Sequence, residues 1–81
     1  MEKAMIFLIE YDRRRGELVT FKRFADDDRK LAVGERLQLE LDLNRRGIEH
    51  EVVILEALSE AAVRRTHRRY FETLAELVEP A

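Results

Sequence analysis

Cysteine and tryptophan are absent from this chain, proline occurs once and glycine three times in 81 residues. Each shortage removes a class of protein. Without cysteine there is neither a disulfide framework nor a thiolate metal site. Gly16, Gly34 and Gly47 stand too far apart to build G-x-G-x-x-G or G-x-x-x-x-G-K-[ST], so no phosphate-cradling loop is encoded. Pro80 is the lone proline, and the absence of low-complexity tracts and internal repeats leaves no linker, so residues 1–81 read as a single domain. The apolar run near the N-terminus covers only Ala4 to Ile9, too short for a signal-peptide core or a membrane span. The expectation is a soluble, cytoplasmic protein with no membrane partner. Charge of one sign is lacking too: 15 Lys and Arg against 17 Asp and Glu give a net charge of -2, with no long single-sign tail to attract bulk nucleic acid.

What the chain does have is apolar residues at 46% and charged residues at 40%. A domain this small buries only about 60% of its unfolded surface, so its core is marginal. With disulfides excluded, self-association is the remaining common source of stability, and a homodimer is expected.

The stretch "RLQLELDLNRRG", Arg36 to Gly47, tests how the chain is to be read. Leu37, Leu39, Leu41 and Leu43 alternate with polar residues as in a half-buried strand. Residue type and flanks argue for a helix instead. Leu, Gln and Glu favour helices, Asp26 to Asp28 stand where caps and the helix dipole want acids, and arginines precede Gly47 at the far end. The reading is a helix from about Asp28 to Arg46, with Asp42 and Arg46 at favourable spacing. Its apolar residues form two stripes, one of Val33, Leu37 and Leu41 and another of Ala32, Leu39 and Leu43, roughly 140° apart. One can pack on a sheet, and the other needs a second cover. Gly34 costs this helix about 1 kcal/mol relative to alanine, so it is either a chance residue or a point of close backbone approach.

"AMIFLIEY" reads as a strand covered on both faces, "DRRRG" as a turn using Gly16, and "ELVTFKRF" as an edge strand. "IEHEVVILEA" supplies a third strand, apolar on both faces from Val52 to Leu55. Ser59 looks like the N-cap of a final helix from about Glu60 to Val78. The predicted fold is α+β with order ββαβα: a three-stranded mixed sheet, strand order 2-1-3, and two helices in a two-layer arrangement. In that arrangement one face of the first strand is bare. If the helices sandwich the sheet, the second leucine stripe is left over instead. Self-association is therefore assigned to Leu39 and Leu43, or to Phe7 if the sheet face is used, and Leu39→Asp, Leu43→Asp or Phe7→Asp should yield monomer or unfold the chain.

No catalytic signature asks for an enzyme, and no cofactor or metal is expected. Ser59, the single serine, is better placed to cap than to attack, and no H-E-x-x-H occurs. Asp26, Asp27 and Asp28 are consecutive and point apart, so capping outweighs cation binding. His67 lies at the centre of the last helix's apolar stripe, where a core or interface histidine outweighs an acid or base. His50, between Glu49 and Glu51, reads as solvated. The arginine cluster carries the one alternative function. Arg64, Arg65, Arg68 and Arg69 share a helical face and Arg13, Arg14 and Arg15 crowd the turn, a pattern that suits RNA, DNA or another anion. Glu72 and Glu76 share that face at pairing distance, so a salt-bridged, solvated surface is the blander reading. The first expectation is a small homodimeric interaction or regulatory module, open to a further protein partner.

Overall fold

The computed structural model describes residues 4–72. Two strands, β1 (Met5–Asp12) and β2 (Glu17–Ala25), are followed by a 3-10 turn (Asp26–Asp28), helix α1 (Arg29–Arg45), strand β3 (Glu51–Ala57), helix α2 (Glu60–Thr66) and a second 3-10 turn (Arg68–Tyr70). The strands form one sheet in the order β2-β1-β3. Both neighbouring pairs are antiparallel, with Leu8 opposite Lys22 on one side and Ile54 on the other. β3 does run in the direction of β2, as the crossover requires. Because β1 lies between them no parallel ladder forms, and the sheet is antiparallel rather than mixed.

The punctuation follows local chemistry. Gly16 adopts φ 65° in the β1–β2 turn and Gly47 adopts φ 68° after α1, the left-handed region glycine tolerates. Ser59 caps α2, its hydroxyl accepting the Ala62 N–H at 3.1 Å. The aspartates ahead of α1 behave differently from a cap. Asp28 makes no side-chain cap bond, and Asp26 instead pairs with Arg29 at 3.0 Å, the acids being absorbed into the 3-10 turn.

β1 is the spine of the core: Ile6, Phe7, Leu8, Ile9, Glu10 and Tyr11 are all buried. Side chains alternate across a strand, so even and odd residues serve opposite faces. On the even face Ile6, Leu8, Phe24 and Ala32 cluster, joined by Val52 and Ile54 under α1. On the odd face Ile9, Tyr11 and Tyr70 cluster with Leu18, Phe21, Val53, Leu55 and Phe71, while Phe7 stacks on Phe21. Both faces are therefore covered, α1 on one and the α2 segment with its 3-10 turn on the other. The two-layer arrangement gives way to the sandwich, because the aromatic residues after α2 have a ready aromatic partner surface on the odd face.

α2 is shorter than its periodicity suggests. It stops at Thr66, and His67 takes φ -124° and ψ 51° before the 3-10 turn begins. That break turns Tyr70 and Phe71 onto the sheet. Leu74, Leu77 and Val78, counted in the expected helix, lie outside the described residues, as does Glu76.

Candidate functional site

At the end of the sheet where β1 turns into β2, the strands carry polar residues on both faces. Glu10 is buried on the even face, where its Oε1 accepts the Thr20 hydroxyl at 2.8 Å and its Oε2 meets His50 Nδ1 at 2.6 Å. The other ring nitrogen of His50 lies 3.5 Å from Asp12. Asp12 also accepts the backbone N–H groups of Arg14 and Arg15 at 3.0 and 3.1 Å, closing the turn. The Arg15 N–H above all holds its carboxyl below the usual range, with help from His50 and against some desolvation. His50 is thus half-buried and clamped between two carboxylates rather than solvated. The sequence signal for it was the acid pair Glu10 and Asp12 on one face of a strand, which acquires meaning only once β3 is set beside β1.

On the odd face Glu51 receives Arg69 at 2.6 Å and the Tyr70 hydroxyl. Its second oxygen is buried and stands 3.2 Å from Arg13 Nε, an ion-pair distance without the alignment of a hydrogen bond. The Arg69 bond is the chief reason the Glu51 carboxyl sits below its ordinary value, while burial and then the Glu51 bond push the Tyr70 phenol up to about 12. The Arg69 guanidinium also lies 4.2 Å from the Tyr70 ring centroid, and Tyr11 meets Tyr70 edge-on at 5.2 Å.

Between the turn and the α1–β3 loop opens a cleft of about 470 Å³ bordered by Arg14, Arg15, Gly47 and His50, with Asp12 and Glu49. Its rim has both signs of charge, and the only imidazole has both nitrogens engaged. The Thr20 hydroxyl is spent on Glu10. The arrangement anchors the loop to β1 and does not align a nucleophile with a base. Among the described residues no group of His, Asp and Glu is disposed to hold a metal ion. His67, the other histidine, is half-buried at the end of α2 with its ring 6.4 Å from that of Tyr70.

The seven arginines named from the sequence divide. Arg64 pairs with Glu60 and lies over the Phe71 ring at 4.6 Å, Arg68 forms a two-pronged bond with Glu72 at 3.0 Å, and Arg69 and Arg13 converge on Glu51. The break at His67 removes the shared helical face on which the four were placed. Arg65, Arg14 and Arg15 are exposed and make no ion pair with a carboxylate among the described residues.

The apolar residues assigned to self-association are corrected more sharply. Phe7 is 0% exposed and Leu43 is 5% exposed, both core, and Leu39 is half-buried. The two stripes of α1 are real with their roles exchanged. Ala32 and Leu43 face the sheet, while Val33, Leu37 and Leu41 stand 53%, 55% and 45% exposed. None of the described helices is long and apolar enough to cross a membrane. Comparison with protein-family models, with curated proteins and with solved structures finds no match to this chain.

Proposed function

We propose that this chain is a homodimeric interaction module, of a regulatory rather than catalytic kind, that meets its second copy through the outer flank of α1. One observation carries the reading: Val33, Leu37 and Leu41 form a row on a single helix with about half of each side chain in water. Isolated exposed leucines are ordinary on protein surfaces, but a row at spacing four along one helix is the pattern by which helices recognise partners. The interior is already filled on both sheet faces, and among the described residues this row packs against nothing that buries it. Light scattering across a dilution series should give a dimer, and Leu37→Asp should give a folded monomer with unchanged circular dichroism. A wild-type monomer at every concentration would refute the reading.

RNA or DNA binding is the second reading, supported by the exposed guanidiniums of Arg14, Arg15 and Arg65, which form no ion pair with a carboxylate among the described residues. It is the weaker because Arg13, Arg64, Arg68 and Arg69 are engaged by Glu51, Glu60 and Glu72, which cancel all but one of their charges. Phosphate binding through these three should fall steeply as salt rises, and failure to retard any oligonucleotide at low salt would end it.

A further inference from the structure

The sheet has two edges, and among the described residues one is undefended. At the centre of β2 stand Lys22 and Arg23, a cation on each face, which oppose the addition of another strand. The centre of β3 is Val52, Val53, Ile54 and Leu55, all half-buried, with β1 as its sole partner among the described residues. Neither a charge, a proline nor a bulge interrupts it.

Two residues of the exposed row of α1, Val33 and Leu37, lie on the side of that same edge. Glu35 of α1 bonds Lys22 of β2, and Arg29 bonds Glu56 of β3, so the two residues mark the flanks of the helix. At 3.6 residues per turn Val33 lies about 90° and Leu37 about 130° round from the sheet-facing line of Ala32 and Leu43, both on the Arg29 side. A groove of about 160 Å³ between Glu40, Leu43 and Asn44 of α1 and Val52 of β3 marks the same flank further along the helix. Val33 and Leu37 thus stand on the side of α1 above the apolar centre of β3, with Arg29 and the Arg36–Glu40 pair between them and the strand.

The geometry points to a second copy of this chain as the occupant, joined edge to edge through antiparallel β3 strands into a continuous six-stranded sheet. The inference rests on the homodimer reading and names its interface. A two-fold axis between antiparallel strands must set one residue opposite itself, because bonded and non-bonded pairs alternate. With Ile54, the middle of Glu51–Ala57, on the axis, Glu56 falls opposite Val52 of the second copy and Glu51 opposite Ala57. No like charges meet, which a pair of edge strands requires. The axis is perpendicular to the sheet, so both α1 helices stay on one face. α1 lies chiefly over β3 and β1, placing its axis about one strand spacing, ~5 Å, from the two-fold. The two helices are then about 10 Å apart, at the packing distance of helices, with Val33 and Leu37 in the seam.

The test is nuclear magnetic resonance on a dimer mixed from isotope-labelled and unlabelled chains, read with hydrogen exchange over a dilution series. Contacts between Ile54 of one copy and Ile54 of the other are expected, with β3 amide protection lost on dilution. A dimer lacking contacts across β3 would overturn the edge pairing and leave the homodimer reading standing. A monomer throughout would overturn both. In the cysteine-free chain, Ile54→Cys supplies an independent readout: mild oxidation should cross-link the dimer, and an absence of cross-link with the fold intact counts against this register.

Discussion

The two faces of the sheet are closed by different means. Over the even face runs one continuous 17-residue helix, and the contacts beneath it are aliphatic: Ile6, Leu8, Ala32, Val52 and Ile54, with Phe24 at the margin. Over the odd face the cover is a short helix, a break at His67 and a 3-10 turn, and the contacts are rings: Phe7 on Phe21, Phe21 against Phe71, Tyr11 against Tyr70. Aliphatic packing is non-directional and needs only area, which a long helix provides. Aromatic packing is directional, and a seven-residue helix succeeds as a cover because edge-on rings, a stacked guanidinium and the Glu51 bonds fix its end in place.

The comparison can be broken first in the core. Phe7→Ala should cost about 3–5 kcal/mol in urea unfolding, since it removes a fully buried ring and its stacking partner's support. Leu8→Ala, one residue along and on the other face, should cost about 2–5 kcal/mol. The faces should differ in what survives: Phe7→Ala should strip the aromatic near-ultraviolet signal while α1 persists, whereas Leu8→Ala should leave the rings of the odd face ordered. Equal loss of both signals in both variants would mean that the faces do not fold as separable layers.

A smaller effect is expected from the bonds that hold the odd-face cover. Tyr70→Phe keeps the ring and removes the hydroxyl that bonds Glu51, for about 1–3 kcal/mol. The pH dependence has a definite sign. Tyr70 has its phenol raised to about 12, so the stability from the neutral hydroxyl is complete below about pH 10 and is lost as pH climbs through about 12. Glu51 has its carboxyl lowered, chiefly by Arg69, so its contribution is present above about pH 4.5 and is lost as pH falls through its folded value. Tyr70→Phe should flatten the alkaline limb of the stability profile. An unchanged alkaline limb in that variant would contradict the assignment to Tyr70.

How much of this was legible beforehand depended on whether a feature is local. The turn at Gly16, the stop at Gly47, the Ser59 cap and the helical reading of "RLQLELDLNRRG" are decided within a few residues by backbone preference, and the structure has each of them. Strand order 2-1-3 was read from the longer doubly apolar run of β1, whose residues Ile6 to Ile9 are the fully buried ones, whereas the doubly apolar centre of β3 is half-buried at the edge. Which leucine stripe of α1 faces the sheet is not local. Two stripes of equal size look alike until α1 is docked, and once it is docked Ala32 and Leu43 face the sheet with the Arg29–Glu56 and Lys22–Glu35 pairs on either flank. His50 was misplaced for the same reason, since Glu10 stands forty positions earlier and only strand pairing brings it to 2.6 Å. The end of α2 was missed because periodicity registers apolar spacing and cannot see that the sheet offers Tyr70 and Phe71 an aromatic surface.

The smallest predicted effect sharpens the contrast from the side of the long helix. Gly34 lies within α1, and a Cβ built there meets nothing within 4 Å. The close backbone approach that would justify a glycine is absent from the described chain, so Gly34→Ala should stabilise the monomer by about 0.5–1 kcal/mol through helix propensity and the reduced freedom of the unfolded chain. Gly34 is also next to the exposed row, about 20° beyond Leu41 on the side away from Val33. In a dimer whose α1 helices meet through Val33 and Leu37, that position stays clear of the seam, so the gain should be the same in concentrated and dilute protein. A loss of stability confined to high concentration would show that the helices approach each other over Gly34, which would move the seam towards Leu41 and away from the β3 edge.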